Sequence, residues 1–260
     1  GSDFYIEKNN LIGIGHAHLN IIQPDSKKNQ PFWDLKKRFL ISFNGEIYNY
    51  KEIINELNTH GIKIINDNDA DVVVNAYALW GEDCVKKFNG MWAFAIWDKI
   101  KEEFFISRDR YGIKPIYYYS DKNNFVFSSE LKGFIPLLKN LNISFNEEFL
   151  IKNENQFSEL IEATYLSGVK KLSPGKNIKV KKNKITLSKY WDTNENLISL
   201  DKPDSEIIKD FAKLFYDSVN IRSKIHPKYK ISCSYSGGVD SESIRRVLNF
   251  LKKNNILKNN

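Results

Sequence analysis

The chain has 260 residues, of which 42% are hydrophobic, and it carries a formal net charge of +7 at pH 7. This length allows one large domain or two ordinary ones, and no run of eighteen apolar residues predicts a transmembrane helix. The basic residues are scattered among acids, as in Lys27-Lys28 and Lys170-Lys171, which favours a solvated surface over a nucleic-acid site.

The first part of the chain is predicted to be rich in strands. Runs of β-branched and aromatic residues bounded by turn residues predict strands at 12–22, 39–43, 92–97, 103–107, 116–119 and 124–128. Apolar residues at helical spacing predict helices over 51–60 and 69–80. We expect Gly61 and Gly81 to end these helices and Asp69 to cap the second one. A further helix is expected within 146–163.

A polar stretch at 192–204, with a proline near its end, predicts a linker. The following segment, 205–221, has one apolar side and predicts an amphipathic helix capped by Ser205. The alternating run 230–235 predicts a strand, and apolar spacing predicts a helix at 243–251. We therefore expect two domains, residues 1–191 and 205–260, joined by this linker.

Between the last predicted strand and helix lies Ser236-Gly237-Gly238-Val239-Asp240-Ser241. Free N–H groups and the positive end of a helix dipole at such a position hold a phosphate, and paired glycines let the backbone approach it. No lysine follows the glycines, so the loop is not a Walker A motif. The alternative interpretation is a Gly-Gly turn beside a helix cap.

The two cysteines, Cys84 and Cys233, are too few for a disulfide framework, which predicts a reducing, cytoplasmic compartment. Both are interpreted as small hydrophobic residues rather than nucleophiles. No group of cysteines and histidines has metal-ligand spacing, so no metal site is predicted.

Four further motifs precede the glycine loop in a fixed order: Asn44–Tyr50, Asn89–Asp98, Arg108–Pro115 and Phe127–Lys132. Together with the loop they closely resemble glutamine-hydrolysing asparagine synthetase over nearly the whole chain. The resemblance implies a ligase with a class II glutamine amidotransferase domain, folded as a four-layer α/β/β/α N-terminal-nucleophile-type sandwich. The first strand, loop and helix of an α/β ATP pyrophosphatase domain would follow it. No catalytic role is assigned to Arg108–Pro115, for which structural ion pairing is an equal explanation.

The resemblance also implies roles for individual residues. Asn44 and Gly45 match the oxyanion hole, through a side-chain amide and a main-chain N–H. The residues that match glutamine contacts are His18, Leu19, Asn20, Ile21, Ile22, Glu46 and Asp69. An Asn-Gly pair alone favours a hairpin turn instead, and Asp69 can be a helix cap as well as the partner of the glutamine α-amine.

Two features depart from the family pattern. The nucleophilic N-terminal cysteine is not found in the sequence, so we expect a chain truncated at both ends and unable to hydrolyse glutamine by itself. His18 stands where the family has an arginine for the glutamine carboxylate, and histidine lacks the bidentate guanidinium.

In the second domain the resemblance implies ATP, with Mg²⁺, as cofactors and aspartate as the substrate that ATP converts to an acyl-adenylate. The residues that match the ATP loop are Tyr235, Ser236, Gly237, Gly238, Val239, Asp240 and Ser241. The implied partners are glutamine, aspartate and ATP, without nucleic acid or membrane, and relatives are often homodimers. Two alternatives stay open: an enzyme of β-lactam synthetase type whose amidotransferase domain has lost its activity, or a degenerate, non-catalytic protein.

Overall fold

The computed structural model describes residues 2–7, 12–17, 29–64, 68–152, 162–182, 184–196, 201–224 and 229–257. These residues form two compact units, one reaching Asn196 and the other beginning at Asp201. No described helix combines the length and the apolar character needed to cross a membrane.

All the strands that the structure describes lie in the first unit. They are β1 (Ser2–Glu7), β2 (Ile12–Ala17), β3 (Phe32–Trp33), β4 (Phe39–Ile47), β5 (Gly90–Asp98), β6 (Glu103–Arg108), β7 (Tyr117–Ser120), β8 (Phe125–Ser128), β9 (Val169–Lys171), β10 (Lys176–Lys181) and β11 (Lys184–Lys189). A six-stranded antiparallel sheet has the order β11-β10-β6-β5-β4-β3, a three-stranded sheet has the order β8-β7-β9, and β1 pairs with β2. The predicted strands are confirmed where they are described, and β4 extends four residues beyond the prediction, to Ile47.

The helices of the first unit are α1 (Tyr50–Thr59), α2 (Asp69–Trp80), α3 (Cys84–Lys87) and α4 (Glu147–Lys152), with 3-10 turns at Gly81–Asp83, Leu131–Leu137 and Asn194–Asn196. Both predicted long helices are confirmed. Gly61 and Gly81 follow α1 and α2 with φ of +77° and +59°, conformations that glycine adopts without a Cβ clash. The cap of α2 is Asn68 and not Asp69, because the Asn68 side chain accepts a hydrogen bond from Asp71 N.

Three apolar clusters show how the layers pack. Helices α1 to α3 cover one face of the six-stranded sheet, where Trp92 and Phe105 are fully buried. The three-stranded sheet covers the other face around Ile106 and Ile178. Burial of each large apolar side chain contributes about 1.5–3 kcal/mol. The outer face of the three-stranded sheet is covered by the 3-10 turn through Phe134, so the predicted α/β/β/α sandwich is confirmed, with a 3-10 turn in its fourth layer.

The second unit contains α5 (Asp204–Arg222) and α6 (Val239–Lys253), which pack through an edge-to-face contact of Tyr216 and Phe250. The predicted cap at Ser205 is wrong, since α5 begins one residue earlier and no side chain caps it. The predicted strand at 230–235 is also wrong, because these residues are irregular. A strand needs a neighbour for its N–H and C=O groups, and the described residues of this unit offer none.

Candidate functional sites

The first candidate site lies at the end of β4, where the polar and apolar residues alternate. Ile41, Phe43 and Ile47 are buried under the helices, whereas Asn44 and Glu46 point to the other face and are half-buried. The Asn44-Gly45 pair lies within the strand, opposite Ala93 and Trp92 of β5, so the hairpin-turn interpretation is wrong. The strand therefore delivers an amide and a carboxylate to one face.

Gly45 permits a close approach of the two central strands. A Cβ at this position would lie 2.2 Å from Met91 O and 2.8 Å from Trp92 Cα. Gly90 has the same role on the facing strand, since a Cβ there would lie 2.2 Å from Glu46 O. Both glycines are thus required by the packing of the backbone at the site.

The hydrogen bonds of β5 show which way the Gly45 N–H points. Trp92 faces Gly45 in the ladder. On the opposite side, Trp92 O accepts from Asp109 N at 2.9 Å and Trp92 N donates to the carboxylate oxygen Asp109 Oδ2 at 3.2 Å, so both main-chain groups of Trp92 point away from β4. In an antiparallel pair these bonds alternate, so the N–H of Gly45 points away from β5 toward the outer edge of β4.

On this outer edge, the residues two positions before and two positions after Gly45 already have hydrogen-bond partners for their main-chain groups. Phe43 exchanges hydrogen bonds with the buried Gln30 side chain, at 2.6 Å and 3.0 Å, so the side chain continues the pairing beyond the short β3. Ile47 N donates to Asp69 Oδ2 at 3.3 Å. The N–H of Gly45 lies between these two positions and faces the same edge, where Asp69 brings a carboxylate.

The Asp69 carboxyl is the most perturbed acid of the site. It is buried in the first turn of α2, and burial raises its pKa to about 7, helped by the nearby Glu46 carboxylate and opposed by the Ile47 hydrogen bond. Burial likewise raises the pKa of Glu46, while the Lys114 ammonium lowers it. The pKa of each of these two carboxyl groups is therefore raised overall above its ordinary value, and that of Asp69 lies close to neutrality.

The structure brings together four of the residues predicted for this site: Asn44, Gly45, Glu46 and Asp69. The other predicted glutamine contacts, His18, Leu19, Asn20, Ile21 and Ile22, lie outside the described residues. The sequence analysis did not predict that the Gln30 side chain pairs with the edge of β4, or that the Lys114 ammonium lowers the pKa of Glu46. Lys114 lies in a motif that the sequence did single out, whereas nothing local distinguishes Gln30.

The charged motif Arg108–Pro115 is a structural clamp. Arg108 is buried and donates to the carbonyl groups of Gly112, Lys114 and Leu172. Asp109 is also buried and accepts from four main-chain N–H groups. Both buried side chains thus bind main-chain groups of the loop and of the neighbouring strands, which makes the motif structural.

Cys84 lies in the core under the six-stranded sheet and is fully buried. Burial raises the pKa of its thiol far above the ordinary value, so the thiolate needed for nucleophilic attack is disfavoured. The interpretation of Cys84 as a small core residue is confirmed.

The second candidate site is the loop before α6, in the other unit. Gly237 has a φ of +80°, Gly238 caps the helix and Val239 begins it. A helix therefore follows the two glycines as predicted, but it starts four residues before the predicted start at residue 243. Ser241 Oγ donates to Gly238 O at 3.0 Å, and Ser236 N donates to Ser241 Oγ at 3.3 Å. Of the predicted loop residues, Tyr235 to Gly238 thus precede the helix, whereas Val239, Asp240 and Ser241 form its first turn, and serine hydroxyl groups join the two parts.

Glu242 introduces an acid beside this loop, but its charge is compensated. Its carboxylate accepts from Arg245 at 2.7 Å and from Arg246 at 2.8 Å. These two hydrogen bonds lower the pKa of Glu242 to about 2. The described residues contain no group of three or more metal-binding side chains.

Comparisons with known proteins agree with this architecture. Residues 1–191 match the family described as glutamine amidotransferase domain. A solved structure titled as the allosteric regulatory enzyme of purine biosynthesis shares the fold, with a TM-score of 0.50 and 14% identity over 91% of this chain and 49% of that chain.

Three relatives cover nearly all of the chain. The putative glutamine-hydrolyzing asparagine synthetase 2 of Methanocaldococcus jannaschii is 34% identical over 95% of this chain and 50% of its own length. The glutamine-hydrolyzing asparagine synthetase 1 of Bacillus subtilis is 30% identical over 91% of this chain and 36% of its own. Amidase chry2 of Gibberella zeae is 26% identical over 96% of this chain and 36% of its own.

The chain thus spans half or less of the length of these relatives. Their names agree with the prediction, made from five motifs, of an enzyme related to glutamine-hydrolysing asparagine synthetases. The match over residues 1–191, with the fold and the acids at the end of β4, shows that this chain belongs to the glutamine amidotransferase domain family.

Proposed function

We propose that the chain is part of a glutamine-dependent asparagine synthetase and that the outer edge of β4 holds the glutamine. One observation carries this proposal: the buried Asp69 carboxylate and the Gly45 N–H face the same strand edge, next to the half-buried Asn44 and Glu46 side chains. The site thus offers a carboxylate that can bind an ammonium group and, a few residues away in the strand, N–H donors that can stabilise an oxyanion.

Asp69 would bind the α-ammonium group of glutamine. A carboxyl with a pKa of about 7 carries only part of its charge at neutral pH, and an adjacent cation shifts the equilibrium toward the carboxylate. Glutamine would therefore complete the ionisation of Asp69 as it binds. The ammonium group of the bound amino acid would take the place of the water molecules that Asp69 loses when folding buries its carboxylate.

Asn44 and Gly45 would act on the side-chain amide of glutamine. When a thiolate attacks the amide carbon, the carbonyl oxygen becomes an oxyanion, which the Asn44 amide and the Gly45 N–H stabilise. The intermediate collapses when the amide nitrogen takes up the proton that the thiol had lost, which releases ammonia and leaves a thioester. Water then hydrolyses the thioester to glutamate and restores the thiol. Cys84 does not supply the thiolate, because it is buried in the core and held in its thiol form.

The loop from Tyr235 to Ser241 would hold phosphate groups of ATP. Its helix N-terminus supplies N–H donors, and Ser236 and Ser241 supply hydroxyl groups. ATP would convert the side-chain carboxylate of aspartate to an acyl-adenylate with release of pyrophosphate, and ammonia would displace AMP to give asparagine. The loop supplies Asp240 but no set of metal ligands, so Mg²⁺ fits here as a companion of the nucleotide phosphates.

The test measures binding of L-glutamine to the 260-residue chain by isothermal titration calorimetry, since binding does not require the nucleophile. We expect Asp69→Asn to weaken binding by about 10- to 100-fold, because it removes a charge-assisted hydrogen bond. Asp71→Asn is the matched control, because Asp71 is equally buried in the same helix but pairs with Asn68. Equal affinities of these two variants, or no binding of glutamine by the unmodified chain, would refute the proposal.

A further inference from the structure

The hairpin of β1 and β2 lies apart from the main ladders of the first unit. Its two strands form a sheet of their own and are not paired with a strand of the six-stranded or three-stranded sheet. A two-stranded sheet by itself is marginally stable in water. The position of this hairpin in the first unit therefore depends on the side chains by which it contacts the main sheet.

Apolar side chains attach the hairpin to the main sheet. Ile14 is only 3% exposed and lies in one cluster with Leu40 of β4 and Trp97 of β5. Tyr5, which faces Ile14 across the hairpin, packs edge-to-face on Trp33 of β3, with the ring centroids 5.3 Å apart. Because the hydrophobic effect is non-directional, these contacts attach the hairpin but do not by themselves determine its exact position along β4.

A polar contact does restrict that position. His16 Nδ1 of β2 and Ser42 Oγ of β4 share a hydrogen bond of 2.9 Å, in which either group can be the donor. Such a bond tolerates only a narrow range of distances and angles. His16 lies two residues after Ile14, and Ser42 lies two residues after Leu40, so each pair shares one face of its strand. The apolar cluster and the hydrogen bond thus hold β2 against the same face of β4 at two successive positions.

The hydrogen bond lies next to the candidate glutamine site. Ser42, Asn44 and Glu46 are half-buried and follow one another on this face of β4 at intervals of about 7 Å. The strand β2 ends at Ala17, directly after the residue that bonds to Ser42, and the predicted glutamine contacts begin in the sequence at His18. The hairpin is therefore fastened one strand repeat away from the predicted oxyanion donor Asn44.

We propose that His16 is a positioning residue, which through its hydrogen bond with Ser42 holds the end of the β1–β2 hairpin beside Asn44 and so completes the glutamine site on that side. The reference to glutamine rests on the proposed function, whereas the anchoring of the hairpin does not. His16 acts through the hairpin and needs no contact with the substrate. When the bond is lost, the apolar cluster keeps the hairpin attached, but its end moves more freely relative to Asn44.

The hydrogen bond is tested by NMR on the 260-residue chain labelled with ¹⁵N at histidine, without any ligand. The ring signals of His16 are assigned by their loss in His16→Gln. We expect Ser42→Ala to shift the Nδ1 resonance, and Ser42→Thr, which keeps the hydroxyl group, to leave it close to its original position. The matched control is Ser188→Ala, because Ser188 is also half-buried and lies in β11, at the far edge of the same sheet. An unchanged resonance in a folded Ser42→Ala protein overturns the anchor.

Hydrogen exchange of the main-chain amides measures whether the bond restrains the hairpin. The amides that pair β1 with β2 should exchange about 2- to 10-fold faster in Ser42→Ala, which corresponds to the net contribution of one hydrogen bond. The amides that pair β5 with β6 serve as the internal reference and should keep their rates. Ser42→Thr should restore slow exchange in the hairpin. Equal rates in the original chain and in Ser42→Ala overturn the restraint.

Titration with L-glutamine separates this inference from the proposed function. The affinity at neutral pH should fall by about 2- to 10-fold in Ser42→Ala, recover in Ser42→Thr and stay unchanged in Ser188→Ala. Faster exchange of the hairpin in a chain that binds no glutamine would retain the anchor and refute the glutamine site. Faster exchange with an unchanged affinity would refute the role of His16 in positioning the site.

Discussion

The pH dependence of stability offers a direct test of the environment of Asp69. The ordinary pKa of this carboxyl is 3.8, and burial raises it to about 7 in the folded chain. Between these values the folded state holds more protons than the unfolded state. The free energy of unfolding therefore decreases as the pH rises through this range. The decrease is complete above the pKa that Asp69 has in the folded chain.

The size of the effect follows from the shift. Each unit of pKa corresponds to about 1.4 kcal/mol, so a shift of about three units costs on the order of 4 kcal/mol above pH 8. Asp69→Asn removes the charge and keeps an oxygen that can accept from Ile47 N. We expect this variant to be more stable than the original chain by about 2–4 kcal/mol at pH 8 and of equal stability near pH 4.

Urea unfolding followed by tryptophan fluorescence measures this difference. All five tryptophans lie at or before residue 191, so the signal reports on the first unit alone. Curves for both proteins are recorded at about pH 4, 6 and 8, and the difference in unfolding free energy is plotted against pH. A difference that stays constant from pH 4 to pH 8 would refute the raised pKa. The same experiment with Asp71→Asn serves as the control for a general effect of losing an acid in α2.

Three further predictions concern the first unit and the thiols. Gly90→Ala should lower the free energy of unfolding by about 1–3 kcal/mol, because its Cβ would lie 2.2 Å from a carbonyl oxygen of the facing strand; a change below about 0.5 kcal/mol in urea unfolding would contradict this packing. In the native chain, Ellman's reagent should modify Cys233 and spare the buried Cys84, so that Cys233→Ser gives no reaction until urea is added. Arg38→Met should cost about 1.5–3 kcal/mol at pH 7, because Arg38 donates twice to the buried Asp98. Burial alone raises the pKa of Asp98, but the Arg38 and main-chain hydrogen bonds lower it overall. The contribution of the pair should therefore begin to decrease as the pH falls below the ordinary value of 3.8 and be lost as the pH falls through the lowered pKa of the folded chain, and a cost that does not decrease below pH 3.8 would argue against the pair.

Much of the secondary structure of the first unit could be predicted, because it follows from the conformational preferences of single residues and from the spacing of apolar residues. The glycines after α1 and α2 end these helices, and the alternation along β4 assigns each residue to a face before any neighbour is known. The errors at the helix starts have a local cause too. Asn68 and Asp69 are both good caps, and the sequence does not say which of two adjacent residues leaves the helical conformation.

The strand predicted before the glycine loop failed for a different reason. Its alternation satisfies the local rule, but a strand is stable only when another strand accepts its main-chain hydrogen bonds. Residues 230–235 find no such neighbour in the described part of their unit and remain irregular. A helix satisfies its own main chain, so α6 forms directly behind this segment.

The sequence by itself determined the alternation of the strands, the ends of the helices, the order of five motifs and, through them, the family. Tertiary structure decided the chemistry at the end of β4. Asp69 acquires its raised pKa because folding buries it beside Glu46, and the loop after β6 is fixed because the buried Asp109 and Arg108 hold the main chain of Lys114. Burial and charge act across space between residues that are distant in the chain, so the local pattern of the sequence does not contain them.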